Sequence, residues 1–298
     1  MNYNDLAASV TERLIARIEA GAGTWQMPWH TTPGVLDVRN AATGDRYRGA
    51  NTVTLAVAVL DHEYPTGWWA TYKQWTGLGA QVRRGETATR IVKWLARRDA
   101  DSDHDESPNT DETRGRRLVP KVYAVFNAAQ VDGWTPPEPP APTVIERDAR
   151  ADAWIAATAA DIAHGHNHAC YRPGLDRIEL PSAEQFIDRA VLYATTCHEL
   201  VHWTGHPTRL ARDLTGRFGD DAYAAEELVA ELGAAIACAH LAITPTPRDD
   251  HAAYLAHWLR VLRADPHALF TVAAKAQAAV DHLNGYSTAC TADDEVAA

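Results

Sequence analysis

The chain has 298 residues and a formal charge of −11 at neutral pH, which is long enough for two domains that each bury a core. Its start lacks the basic region and apolar run of a signal peptide, and no stretch reaches the ~18 apolar residues of a membrane span, so a soluble, cytoplasmic protein without membrane contact is predicted. The four cysteines, Cys170, Cys197, Cys238 and Cys290, are widely spaced, which argues against a zinc ribbon or a dithiol redox site and for reduced thiols.

Leu6, Val10, Leu14 and Ile18 recur every four residues and Gly21 follows, predicting an amphipathic helix ended by glycine. The next loop carries Trp25 and Trp29, placed either to cap a small core or to meet a ligand. Arg46, Tyr47 and Arg48 precede an almost wholly apolar helix over 52–60, with Asn51 as its N-cap, and cationic groups at a helix start suit a phosphate. Trp68, Trp69, Lys73, Gln74, Arg83 and Arg84 then interleave aromatic and basic or amide groups. Residues 90–95 and 119–126 are rich in β-branched and aromatic side chains and read as paired strands. Between them, residues 98–117 are charged and disorder-like.

A Pro-rich run over 135–143 reads as a stiff linker. It divides the chain into an N-terminal domain, 1–134, and a C-terminal domain, 144–298. Charge changes across it. Residues 1–98 hold 12 Lys/Arg against 8 Asp/Glu, a balance of +4, and the rest holds 16 against 31, a balance of −15, together the −11; six of the ten tryptophans fall in the first segment. A basic, Trp-rich segment on an acidic chain suggests two tasks in one protein.

Beyond the linker a helix is expected over 146–164, then a hairpin over 168–180 whose edge is a candidate for holding an extended peptide by strand addition. The next helix, 186–204, has Ser182 as N-cap and Gly205 as its stop. It contains His198-Glu199-Leu200-Val201-His202. Residues four apart on a helix share a face, so His198 and His202 can present two imidazoles to one ion, with Glu199 beside them as a base for a metal-bound water.

A second helix, 223–238, is apolar except for Glu226, Glu227 and Glu231, and buried carboxylates need a reason. A catalytic zinc site takes three protein ligands and leaves one position open. Glu227 ranks ahead of Glu226, Glu231 and His206 as the third. Glu231, one turn on, is placed to orient a histidine ligand, whereas Glu226 reads as a solvated surface carboxylate. Two helices near 248–264 and 265–283 complete an α+β chain whose C-terminal domain is mainly helical with a short hairpin or sheet.

These stretches occur together in a recognisable order. Trp25-x-x-Pro28-Trp29, Tyr47-Arg48-Gly49-x-Asn51, Trp69-x-Thr71-x-Lys73-Gln74, Val82 to Glu86, Val125-Phe126-Asn127-x-x-Gln130, His198 to His206 with Arg209-Leu210, and Glu226 to Ala235 resemble, colinearly, the ArdC-type antirestriction proteins of conjugative plasmids. The resemblance implies an N-terminal domain that binds single-stranded DNA and a C-terminal zincin-like metallopeptidase domain using Zn2+ or another divalent ion. It also implies protection of incoming DNA from restriction, with restriction-modification subunits or DNA-bound proteins as partners. On this reading Trp25, Trp29, Arg46, Tyr47, Arg48, Asn51, Trp68, Trp69, Lys73, Gln74, Arg83 and Arg84 form the DNA surface. The alternative is a non-catalytic protein that coats single strands or binds restriction enzymes and whose metal site is structural.

Overall fold

Helix α1, Tyr3–Ala20, buries Leu6, Val10, Leu14 and Ile18 at the predicted spacing. In the computed structural model, residues 1–20, 34–96, 118–137, 142–214, 220–244 and 251–296 are described. Gly21, Trp25, Trp29, the 98–117 excursion and residues 138–141 of the Pro-rich run lie outside these residues.

Helix α2 spans Ala50–His62 and buries Thr52 to Val59 almost all round. Its N-cap is Gly49 rather than the expected Asn51. Asn51 has another use: its Nδ2 donates to Val92 O at 2.7 Å and its Oδ1 accepts from Val92 N at 2.8 Å. The amide thereby satisfies both backbone groups that an edge strand would leave open.

That edge strand belongs to a four-stranded sheet in the order β1-β2-β5-β4, built from β1 Arg39–Asn40, β2 Trp68–Ala70, β4 Thr89–Ala96 and β5 Leu118–Asn127. β1 and β2 run parallel and the other pairs antiparallel. Because β2 meets β5 only at Asn127 and Phe126, most of the β4–β5 pair continues as a two-stranded ribbon. Its register sets Lys93 directly opposite Lys121. A short helix α3, Tyr72–Gly77, is held by a capping box in which Thr71 N donates to Gln74 Oε1 at 2.9 Å and Gln74 N to Thr71 Oγ1 at 3.3 Å. β3, Gln81–Val82, pairs with β6, Val131–Asp132.

In the C-terminal half, α4 spans Val144–Ala157. It stops short of the expected 164, because Ala159 turns to a positive φ of 51° and residues 161–164 join a sheet instead. β7 Asp161–His164, β8 Cys170–Arg172 and β9 Arg177–Leu180 form that sheet in the order β7-β9-β8, with β8 at an edge. Ladder pairing here overrides helix propensity. The next helix, α5, is Arg189–Thr204. Its cap is Asp188, whose Oδ1 accepts from Val191 N at 2.8 Å, and not Ser182, which opens a 3₁₀ turn at Ala183–Gln185. Gly205 ends it as expected. Helices α6 Asp221–Leu241, α7 His251–Ala264 and α8 Ala268–Val296 follow.

One hydrophobic cluster runs from Leu6, Val10 and Leu55 through Leu200, Leu228 and Ile236 to Ala276 and Val280. The N-terminal helices are thus packed onto the C-terminal bundle. None of the helices is long and apolar enough to cross a membrane among the described residues.

Candidate metal centre

Two helices build the site. α5 brings His198, Glu199 and His202 to one level, and α6, packed against it, brings Glu226, Glu227 and Glu231. Their approach is close because Gly233 on α6 faces Val201: a Cβ at Gly233 would lie 2.8 Å from Val201 Cγ2.

His198, His202 and Glu227 each offer one donor atom, all within 4.8 Å of one another. The two Nε2 atoms are 3.2 Å apart. Glu227 Oε2 lies 3.6 Å from His198 Nε2 and Oε1 3.5 Å from His202 Nε2. Ligand atoms held about 2.0–2.1 Å from a tetrahedral ion are about 3.3 Å from each other, so these residues fit a divalent metal. His206 is outside this group; its Nδ1 meets Thr208 Oγ1 at 2.8 Å.

Each imidazole has a second carboxylate on its far nitrogen. Glu231 Oε2 stands 3.7 Å from His198 Nδ1. Glu226 Oε1 stands 3.3 Å from His202 Nδ1. Glu226 is therefore not the solvated surface group expected, being only 9 % exposed. Arg212 explains how it can be buried: Nη2 donates to Glu226 Oε1 at 2.8 Å and to Val201 O at 2.6 Å, while Nη1 donates to Thr204 Oγ1 at 2.8 Å. Gly205 makes room for this arginine, since a Cβ there would come within 3.1 Å of Arg212 Nη2. Nothing in the sequence around Arg212 marks it for this role.

The electrostatics call for a cation. Glu199 and Glu231 are buried and Glu227 nearly so, while Glu226 is bonded to Arg212. Burial alone would make the His202 imidazole shed its proton, but Glu226, Glu227 and the charge of Glu199 overcome that and hold its pKa up to about 10. Burial would likewise raise the Glu227 carboxyl, and its contacts to both imidazoles instead hold it far below the usual range. A buried cluster of carboxylates around two histidines is stable only with positive charge in its centre.

A hollow of about 320 Å³ opens over the triad, lined by Glu199, by Cys170 and Tyr171 of β8, and by Tyr223 one turn before Glu227. The edge strand β8 thus runs beside the metal position. Arg209 ties it there: Nη1 bonds Asp176 Oδ2 at 3.0 Å, Nη2 bonds Tyr171 Oη at 3.2 Å, and Nε bonds Trp203 O at 2.6 Å.

The residues expected to face DNA are dispersed in role. Lys73, Arg83 and Arg84 are exposed, and Arg83 also bonds Glu86 at 2.9 Å. Arg48 is exposed and paired with Asp281. Arg46 is half-buried and bonds Asp37 at 2.7 Å, and Tyr47 Oη donates to Trp69 O at 3.4 Å. Trp68 is half-buried against Trp134, their ring centres 5.9 Å apart. Trp69 is 0 % exposed, so in this fold its ring belongs to the core and cannot stack on a base. Gln74 and Asn51 spend their amides on a helix cap and a strand edge.

Other groups occupy the surface instead. Tyr72, 52 % exposed, meets Phe126 edge-on beside Arg83 and Arg84 in one hollow. On the β4–β5 ribbon, Arg90, Lys93 and Lys121 are exposed, Trp94 is 50 % exposed, and Lys121 Nζ lies 5.6 Å from the centre of the Tyr123 ring. Neither strand contains an Asp or Glu. That signal was present in the sequence as two acid-free strands.

Comparison with known proteins agrees with both halves. Residues 4–126 match the family described as the N-terminal domain of anti-restriction factor ArdC, and residues 149–275 match that of zincin-like metallopeptidases. The uncharacterized protein y4eC of Sinorhizobium fredii (strain NBRC 101917 / NGR234) is 43 % identical over 94 % of this chain and 92 % of its own length. A DNA primase TraC of Escherichia coli is 41 % identical over 92 % of this chain, which spans only 26 % of that relative. Crystal structures of the antirestriction ArdC protein from plasmid R388 superpose with TM-scores of 0.75 for the metal-free and 0.74 for the Mn(II)-bound form, at 37 % and 36 % identity, each over 95 % of this chain and 98 % of the other. With an ArdC N-terminal domain followed by a zincin-like metallopeptidase domain, the chain belongs to the ArdC antirestriction family.

Proposed function

We propose that the protein is a metal-dependent peptidase carried on a domain that grips single-stranded DNA, acting in the cytoplasm on proteins met on incoming DNA. The domains are divided at the Pro-rich run 135–143. The observation that carries the catalytic part is the triangle of His198, His202 and Glu227 donors with Glu199 beside it at the floor of an open hollow. A structural metal site has no need of a fourth, uncoordinated carboxylate or of access for a substrate.

His198, His202 and Glu227 would hold the ion, with Zn2+ favoured by two imidazoles and a carboxylate and Mn2+ acceptable to the same donors. When bound, the ion supplies a polarised carbonyl and a more acidic water. Glu199 takes the proton from the attacking water and returns it to the leaving amine. Glu231 and Glu226 fix the ring orientations of His198 and His202. β8, open at its edge, pairs with an extended substrate and sets the scissile bond over the triad.

The DNA part rests on the distribution of charge and exposed rings. Lys73, Arg83, Arg84 and the acid-free ribbon supply phosphate contacts, and Tyr72, Phe126 and Trp94 offer ring surface for bases. Lys93 facing Lys121 is unfavourable in isolation and becomes favourable once a phosphate lies between them. Restriction-modification subunits are the partners this reading favours.

The test is cleavage of casein and of DNA-bound proteins by parent and Glu199→Gln, each with measured metal content. The variant is expected to keep its metal and lose cleavage. Equal cleavage by both would remove Glu199 from the chemistry, and absence of cleavage by the metal-loaded parent with and without single strands would favour the non-catalytic alternative.

A further inference from the structure

A second cleft lies away from the metal centre, where the loop before α2 meets α4, α6 and α8. It consists of two hollows, of about 600 Å³ and about 850 Å³, that share Arg46, His240 and Asn284 in their walls. Both volumes lie within the range that small ligands occupy.

The two hollows differ in character. The first is polar and cationic, with Arg39, Arg46 and Arg48 in its wall. Arg150 faces the second. Against these four arginines stand Asp45 and Asp281 in the walls and Asp37 beside them, which pairs with both Arg39 and Arg46 while Asp281 pairs with Arg48; the guanidiniums are held in place by carboxylates and leave a small positive balance. Burial first, and then the nearby Arg46 and Arg39 against the opposing charges of Asp37 and Asp281, hold the His240 pKa down to about 4. The second hollow is walled mainly by Ala153, Ala156, Ala157, Trp154 and Leu241. Trp154 is fixed by its Nε1, which donates to Asn284 Oδ1 at 2.9 Å.

One polar atom in this apolar half is unexplained. The Ser287 hydroxyl is buried and has no hydrogen-bond partner among the described residues, although a helical serine can usually bond the carbonyl one turn back. A buried hydroxyl without a partner destabilises the fold, and a ligand with a polar edge would relieve it.

We propose that this cleft binds a nucleotide unit, with the phosphate among Arg46, Arg48 and Arg39 and the base in the Ala153–Ala157 hollow, where Ser287 meets its polar edge. An apolar slot beside a cluster of guanidiniums is the arrangement that recognises a flat, weakly polar ring joined to an anion. The unit can come from a free nucleotide or from one residue of a single strand, and the two sources share this chemistry. The inference does not depend on the DNA surface proposed above. His240 lies on α6, the helix that carries Glu226, Glu227 and Glu231, so the cleft and the metal centre share one rigid element.

Titration calorimetry of the full-length, metal-loaded protein with deoxyadenosine monophosphate reads the first source. Photo-cross-linking of a thymidine oligonucleotide bearing one 4-thiothymidine, with peptide mapping, reads the second. Ala153→Glu puts a carboxylate at an exposed helical position on the cleft wall and is expected to weaken mononucleotide binding, or cross-linking to peptides containing Trp154 or His240, by at least about tenfold. Ser287→Ala removes only an unpartnered hydroxyl and is expected to weaken it about threefold with a melting temperature at or above the parent's, which keeps the test decisive if Ala153→Glu does not fold. Binding of the mononucleotide supports the free source; cross-linking at those peptides without mononucleotide binding supports the strand. Neither signal in the parent, or signals undiminished in both variants, would overturn the proposal, whatever substitutions on the β4–β5 ribbon do to strand binding.

Discussion

The guanidinium carbon of Arg209 lies 3.8 Å from the centre of the Trp203 ring, at the end of the helix that carries the metal-binding histidines. From there Arg209 reaches Asp176 in the β8–β9 turn, so the strand beside the hollow and the metal helix are fastened by one side chain. Arg209, against the opposing effect of burial and with help from Tyr171, holds the Asp176 carboxyl below its usual range. A depressed carboxyl contributes stability that is present above its unfolded value, about 3.9, and is lost as pH falls through the folded value. Asp176 is 40 % exposed, and solvent screening limits the effect to about 0.5–1 kcal/mol. Asp176→Asn should therefore melt lower than the parent at neutral pH, and the two melting temperatures should converge as pH falls below about 4. A gap that stays constant down to acid pH would count against the ion pair as its cause.

The contact between Gly233 and Val201 sets the distance between the ligand-bearing helices. With a Cβ 2.8 Å from Val201 Cγ2, Gly233→Ala forces α5 and α6 apart, against the gain in helix propensity that alanine brings elsewhere. The expected loss is about 1–3 kcal/mol, together with weaker metal binding because Glu227 retreats from the two imidazoles. Thermal melting and a metal titration read the two effects. A stabilised variant with unchanged metal affinity would show that the interface has room to spare.

Glu226 and Glu227 are neighbours in sequence with different tasks, and substitution separates them. Glu226→Gln keeps the triad but loosens the orientation of His202, so metal affinity should fall about 10- to 100-fold while excess metal restores full occupancy. Glu227→Ala removes a donor and should leave the site substoichiometric at metal concentrations that saturate Glu226→Gln. Competition with a chromogenic chelator measures both, and full occupancy in Glu227→Ala would exclude Glu227 as a ligand.

Much of this centre was legible because helix periodicity is a strong rule. His198 and His202 four apart, and Glu227 and Glu231 four apart, needed only two facing helices to converge. Glu226 was misread because its partner, Arg212, arrives from a segment with no regular pattern, and side-chain pairing across such a segment leaves no trace in spacing. The start of α5 shifted from Ser182 to Asp188 because both are good caps and only tertiary packing chooses between them. In the N-terminal half, Trp68 and Trp69 are adjacent on a three-residue strand, too short for alternation to say which ring faces inward. Asn51 reads as a cap by local rules, yet an open strand edge at Val92 was a stronger claimant. The ribbon's charge is hard to see in the sequence because the charged excursion 98–117 separates Lys93 from Lys121, which are cross-strand neighbours.

The DNA surface can be tested by contrasting two tryptophans. Trp69 is 0 % exposed within the main core, so Trp69→Ala should cost about 3–5 kcal/mol of stability, and any loss of DNA binding should track unfolding. Trp94 is 50 % exposed on the acid-free ribbon, and Trp94→Ala should leave the melting temperature nearly unchanged while weakening binding of a single strand by about 1–3 kcal/mol, the worth of one stacked base. Lys93→Ala and Lys121→Ala should each lower the slope of log affinity against log salt by about 0.7, the value for one phosphate contact on a single strand. Fluorescence anisotropy with a labelled oligonucleotide at several salt concentrations measures these quantities together. If Trp94→Ala and both lysine variants bind as the parent does, the ribbon is not the strand-binding face, and the hollow between Tyr72, Phe126, Arg83 and Arg84 becomes the surface to examine.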